Sequence, residues 1–228
     1  MRYLGGKQQS GTYQRIINLI PPHEVYIEPF LGGGAVARFK RPARVSYGVD
    51  LAPPQMTLGV PGMTVVRGCG MAFLEEFEFR GGEFVYCDPP YLLSTRKSRH
   101  RYRYELTNAD HGRLLRIVKA LPCPVMISGY ASAMYDRALS SWNRVEFEVL
   151  TRGHTWATEV LWFNYEAPAV PHDLSYIGAD YRERLRIRRK VARWASRLAK
   201  MPAAERAAIF EACASVMPDR VAATNVLE

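Results

Sequence analysis

A chain of 228 residues that is 48% hydrophobic and 11% aromatic suits one α/β domain with a modest appendage and excludes a disordered polymer. Its net charge is +9, yet residues 181–200 alone hold nine basic residues and one acid, so the others sum to only +1. Charge gathered in this way suits a polyanionic partner. No apolar run is long enough to cross a membrane, and residues 1–7 lack the core of a secretory leader. The four cysteines, Cys69, Cys87, Cys123 and Cys213, stand apart with no C-x-x-C and no histidine at ligand spacing. They read as reduced thiols of a cytoplasmic protein without a metal site.

In chain order, the first predicted element is a helix over residues 8–19, closed by Pro21-Pro22. Residues 25–30 read as a strand opening into Leu31-Gly32-Gly33-Gly34, and residues 35–40 begin a second helix. A strand over 44–49 ends at Asp50. A Pro/Gly-rich connector, 51–62, leads to a strand over 63–67 and a short helix near 73–77. The run Glu83-Phe84-Val85-Tyr86-Cys87, set between Gly81-Gly82 and Pro89-Pro90, predicts a buried strand. The polar loop after it, 92–106, carries Arg96, Lys97, Arg99, Arg101 and Arg103. Thr107 offers an N-cap for a helix reaching Ala120. Strand 124–128, helix 131–139 and a β pair over 144–149 and 160–165, turning at Arg152-Gly153-His154, complete the pattern. Such alternation predicts a doubly wound sheet with an antiparallel edge.

The composition shifts after Pro168, which divides the chain into 1–168 and 169–228. A helix over 180–200 puts Ile187, Val191, Trp194, Ala195 and Leu198 on one face and Arg186, Arg189, Lys190, Arg193, Arg197 and Lys200 on another. Pro202 starts a further helix to about residue 216. Together they predict a basic helical hairpin on or beside the sheet, acting as a phosphate-binding stripe or as a dimerisation element.

Four motifs carry the chemistry. Asp88-Pro89-Pro90-Tyr91 ends a strand abruptly, leaving a carboxylate, free carbonyls and an aromatic ring at its carboxyl end, where ligands sit in open α/β sheets. A planar base can stack on Tyr91 while its amino group donates to Asp88 and a proline carbonyl, which is the chemistry of methylation at an exocyclic amine. In Glu28-Pro29-Phe30-Leu31-Gly32-Gly33-Gly34 the glycines let a ligand approach the backbone. Asp50 follows the next strand at the interval of a ribose-binding acid. Tyr3-Leu4-Gly5-Gly6-Lys7 adds an aromatic, a flexible turn and an ammonium.

In this order, with Asn164-Tyr165 on a late strand, the motifs resemble the Dam-like (alpha-class) DNA adenine N6-methyltransferases over roughly residues 1–166. The resemblance implies a Rossmann-like S-adenosylmethionine-dependent methyltransferase fold, with S-adenosylmethionine contacted by Tyr3, Gly5, Gly6, Lys7, by Glu28, Pro29 and Phe30, by Gly32, Gly33 and Gly34, and by Asp50 and Asp88. It implies transfer to the N6 amine of an adenine flipped out of double-stranded DNA, with Asp88, Pro89, Pro90 and Tyr91 as the base site. Cys87 is expected in the core, since the strand pleat turns it away from Asp88.

Residues 51–82 leave no room for the separate target-recognition region of the family, so DNA contacts are expected on the 92–106 loop and the basic helix. Arg67-Gly68-Cys69-Gly70-Met71 stands where the family often has an acid near the cofactor adenine. RNA as the polymer and a non-catalytic DNA-binding subunit are the alternatives. The oligomeric state, and a phage, mobile-element or restriction-modification setting, stay open.

Overall fold

The computed structural model describes residues 7, 11–53, 55–57, 59–96, 103–150 and 155–215. Seven strands form one sheet in the order β3-β2-β1-β4-β5-β7-β6. They are β1 (Val25–Glu28), β2 (Val45–Asp50), β3 (Met63–Arg67), β4 (Glu83–Cys87), β5 (Val125–Gly129), β6 (Asn143–Leu150) and β7 (Trp156–Phe163). The first five run parallel, while β7 lies antiparallel to both β5 and β6. The expected doubly wound, Rossmann-like sheet with an antiparallel edge is the fold this chain adopts. The turn at 152–154 lies outside the described residues.

Alternating side chains send the sheet's two faces into two cores. Ile27, Val85, Cys87, Val125, Ile127 and Trp162 pack with α3 (Gly70–Glu76), α4 (Asn108–Ala120) and α5 (Ala133–Ala138). Tyr26, Phe84, Tyr86, Met126, Leu161 and Phe163 pack with α1 (Thr12–Leu19) and α2 (Ala35–Phe39). Cys87 is fully buried in the first core, and burial pushes its thiol pKa up, so it is an inert apolar residue. α4 starts in a capping box: the Thr107 hydroxyl accepts from the Asp110 amide, and the Asp110 carboxylate accepts from the Thr107 amide at 2.8 Å.

The chain reverses its sheet order at β1 and β4, which are neighbours although β2 and β3 stand between them in sequence. Loops leaving the carboxyl ends of these two strands diverge, and a crevice opens between them. The glycine turn leaves β1 there and Asp88-Pro89-Pro90-Tyr91 leaves β4.

The first compact unit reaches Ile177, beyond the boundary read at residue 168. Residues 165–176 are a strap across α1 and α2. The Tyr165 hydroxyl donates to the Leu19 carbonyl (3.0 Å), the His172 amide to Ile20 O (2.9 Å) and the Tyr176 hydroxyl to Phe39 O (3.1 Å), while Asp173 accepts from the Arg41 amide (2.7 Å). His23 and His172 stack beneath it with ring centroids 4.0 Å apart. Burial and the nearby Lys40 ammonium hold both rings neutral, at pKa values of about 2 and about 4.

The second unit, from Gly178, contains α6 (Tyr181–Ala199) and α7 (Ala203–Ala214), and neither helix buries a residue. Asp180 caps α6 by accepting from the Glu183 amide at 2.8 Å. Among the described residues no helix is long and apolar enough to cross a membrane.

Candidate active site

The proline pair stops β4 and turns the chain so that Asp88 stands at the mouth of the crevice, with its side chain 20% exposed. Two donors hold it in place, Lys7 Nζ at 2.6 Å and Ser128 Oγ at 2.9 Å, and both bond to Oδ1. Among the described residues Oδ2 takes no hydrogen bond. Ser128 in turn lies 3.0 Å from the Tyr86 hydroxyl, so β4 and β5 brace the carboxylate from below.

Behind Asp88 lies a buried charged cluster. The Lys7 ammonium contacts Asp88, Glu159 Oε1 at 3.1 Å and the Tyr91 hydroxyl, and Tyr91 donates to Glu159. Burial opposes the charge on Lys7, but the Asp88 and Glu159 carboxylates outweigh it and hold the lysine well above its ordinary pKa. Burial pushes the Glu159 carboxyl up, against the pull of Lys7. Two carboxylates around one ammonium satisfy the rule that a buried charge needs a partner.

Neither Glu159 nor Ser128 stands out in the sequence, and both belong to the site. Glu159 lies on β7 in the same inward series as Leu161 and Phe163, opposite Phe147 of β6. Its only signal in the sequence is this parity: an acid at an inward position of a strand calls for a partner.

Tyr91 stands beside Asp88 with its ring held in place. The residue is 7% exposed, its hydroxyl is tied to Glu159, and its ring meets Tyr130 edge-on with centroids 4.7 Å apart. Tyr91 is therefore a fixed wall of the crevice, and Tyr130 at the end of β5 is a second one. Pro89 is buried and Pro90 half-buried beside them.

The cofactor set divides. Leu31 N donates to Val49 O (2.9 Å) and Gly34 N to Leu31 O (2.7 Å), coiling the glycine turn against the end of β2. Gly32 and Gly34 have φ of 46° and 56°, left-handed values that favour glycine. Gly33 stands between them, and Asp50 closes the turn by accepting from the amides of Gly32 (2.9 Å) and Ala52 (2.8 Å). Glu28 accepts from the Ala37 amide in the first turn of α2, just past this turn. It is 3% exposed, accepts from the Tyr26 hydroxyl (2.8 Å), and burial lifts its pKa to about 8. Lys7 joins Asp88 instead of the turn. Phe30 packs on the first core, and the Pro29 carbonyl abuts Gly70. Tyr3, Gly5 and Gly6 lie outside the described residues.

The basic loop also divides. The Arg96 guanidinium is 1% exposed and paired with Glu105 at 2.5 Å, so it braces the loop and is not a surface cation. Charge counting along the chain misses this pair because it is blind to a partner nine residues away. Arg103 is exposed over the Tyr104 ring, and Lys97, Arg99 and Arg101 lie outside the described residues. Arg186, Arg189, Lys190, Arg193 and Arg197 are all exposed on α6.

Residues 72–154 match the family model described as D12 class N6 adenine-specific DNA methyltransferase. Among solved structures, the chain resembles precorrin 8w decarboxylase of Methanobacterium thermoautotrophicum, with a TM-score of 0.50 and 11% identity over 72% of this chain and 94% of that one. It also resembles the 23S rRNA methyltransferase ErmE (TM-score 0.45, 13% identity, 82% and 84% covered). A third is magnesium protoporphyrin IX methyltransferase of Synechocystis PCC 6803 with bound S-adenosylmethionine (TM-score 0.41, 11% identity, 67% and 75% covered). These likenesses are of fold. No curated protein matches the chain in sequence. The methyl donor of the matched methyltransferase family is S-adenosylmethionine. The residues present fit it: a glycine turn with backbone open to close approach lies beside a carboxylate suited to a ribose diol.

Proposed function

We propose that this chain is a DNA adenine-N6 methyltransferase, in which Asp88 receives the exocyclic amine of an adenine that has left the duplex stack. The observation that carries the reading is the Asp88 carboxylate, clamped through Oδ1 and, among the described residues, unbonded at Oδ2, at the β1–β4 crevice beside the glycine turn. Gly32, Gly33, Gly34 and Asp50 would hold S-adenosylmethionine, which supplies an electrophilic methyl group. Asp88 Oδ2 and the Pro89 carbonyl accept the two amino hydrogens and draw the nitrogen lone pair out of conjugation with the ring. Lys7 and Ser128 keep the carboxylate from turning as the amine arrives, so its geometry is set before the reaction. Tyr91 and Tyr130 bound the base, and Pro90 fixes the direction in which the chain leaves the site. Most of the acceleration is alignment and electrostatics, and no nucleophilic side chain takes part.

The match of residues 72–154 to a DNA-specific family model favours DNA over RNA as the polymer. The test is methyl transfer from labelled S-adenosylmethionine to unmethylated genomic DNA and to total RNA in parallel, followed by nucleoside analysis. N6-methyladenine in DNA is expected, and label in RNA alone would overturn the polymer assignment. Asp88→Ala should lower transfer at least about 100-fold, since preorganised electrostatic groups supply effects of that order, while binding to DNA persists. Unchanged transfer in that variant would remove Asp88 from the site.

A further inference from the structure

We propose that α6 is a duplex-DNA clamp, a rod that binds the phosphate backbone without reading sequence. The inference rests on the DNA reading above and extends it to a separate unit of the chain.

At 3.6 residues per turn, Arg182, Arg186, Arg189, Arg193, Arg197 and Lys200 fall into one stripe along the helix. From the first to the last the stripe runs about 27 Å at a rise of ~1.5 Å per residue. It therefore spaces cations about 5 Å apart, against one phosphate per ~3.4 Å along each strand of a duplex. Every basic residue of the stripe is exposed. The acid of α6, Glu183, is engaged at the first turn, where it accepts from the Ala179 amide at 3.0 Å and from Arg186 at 3.3 Å. Down the rest of the helix no acid interrupts the cations. A helix whose positive face served only solubility would interleave both signs. Charge complementarity therefore selects a polyanion, and the straight stripe selects a linear one.

Val191 and Trp194 lie off the stripe and are 62% and 49% exposed, and the Arg197 guanidinium rests over the Trp194 ring at 5.2 Å. They offer a control surface. If α6 instead joined two copies of the chain, the apolar side would carry the contact.

The test uses the full chain and a fluorescein-labelled 20-base-pair duplex, with affinity measured by anisotropy from 50 to 200 mM salt. For Arg186→Gln, Arg189→Gln, Arg193→Gln and Arg197→Gln combined, the slope of log K against log salt should shrink by about 0.9 for each phosphate no longer neutralised, about 2–4 in all. Affinity at 50 mM salt should fall at least tenfold. Glutamine keeps helix propensity, and circular dichroism checks that α6 still forms. The pair Val191→Ser and Trp194→Ser takes the ring from under Arg197 but keeps every cation, so it should leave the slope unchanged. An unchanged slope in the glutamine variant would overturn the proposal. So would a slope that disappears only in the Val191/Trp194 pair together with a change of sedimenting mass. A third overturning result is α6-dependent binding to phosphatidylglycerol vesicles without any α6 effect on DNA. Since binding is read without methylation, Asp88→Ala separates the two readings: it keeps the clamp and loses transfer.

Discussion

At the scale of single residues, the site is a problem in charge. Lys7, Asp88 and Glu159 place one cation between two carboxylates, and Tyr91 donates its hydroxyl to the second. Were Glu159 neutral, Lys7 would turn its whole field on Asp88, the acceptor we propose for the amine. In that reading Glu159 is a positioning residue that shares the ammonium and holds the Tyr91 hydroxyl. Glu159→Gln keeps an acceptor for Tyr91 but removes the charge. It should lower the rate of methyl transfer about tenfold or more, with DNA affinity unchanged, and cost about 1–3 kcal/mol of stability through the weakened buried partners. Rate measurement at saturating DNA, alongside a melt, decides the matter: a lower melting temperature with an unaltered rate would make Glu159 purely structural. The motifs around Asp88 and the glycine turn were legible in the sequence because their chemistry is contiguous there. Glu159 was not, since 68 residues separate it from Tyr91 and only the register of β7 brings them together.

At the scale of elements, one backbone contact ties α3 to the cofactor side of the sheet. A Cβ on Gly70 would lie 1.8 Å from the Pro29 carbonyl oxygen and 3.0 Å from the Pro29 Cβ. Neither atom can yield, because Pro29 leads out of β1 into the glycine turn. Gly70→Ala should therefore destabilise the protein by about 2–3 kcal/mol, in the range of overpacked cores, and lower the melting temperature by roughly 5–10 °C. Gly68, two residues earlier, has nothing within 4 Å of such a Cβ. Gly68→Ala should stay within about 0.5 kcal/mol. Equal effects in the two variants would show that helix placement is not the cause. The existence of α3 was readable from its apolar residues, but its start at Gly70 instead of near Phe73 was not, because the close approach to Pro29 is a tertiary fact. α6 is the opposite case: its face and period were legible locally. Its like-charged pairs, such as Arg182 with Arg186 and Arg189 with Arg193, each cost an isolated helix about 0.2–0.5 kcal/mol. That repulsion is relieved when a polyanion binds.

At the scale of the whole molecule, the first compact unit runs nine residues past Pro168. Pro168 marks where the apolar pattern of the sheet stops, yet the strap that follows is held by polar groups, which leave no periodic trace. His172, Asp173 and Tyr176 all bond across to α1, α2 or the loop after α2, and the Asn18 side-chain amide donates to the Tyr176 carbonyl at 2.7 Å. At about 0.5–1.5 kcal/mol each, these four of the strap's bonds are together worth about 2–6 kcal/mol. By contrast, α6 and α7 bury none of their own residues. Two shortened chains follow from this difference. One ending at residue 177 should melt within about 2 °C of the full protein, a shift below 1 kcal/mol at this size. The other, ending at residue 168, uncovers the stacked His23 ring and strips α1 and α2 of their bridges. It should melt at least about 5 °C lower. The difference should narrow below pH 6.5: a histidine whose folded pKa is depressed takes stability from the fold as pH falls, and the chain ending at residue 168 lacks His172 and exposes His23. Scanning calorimetry on the two chains at matched salt reads both effects, and equal melting temperatures would show the strap to be dispensable.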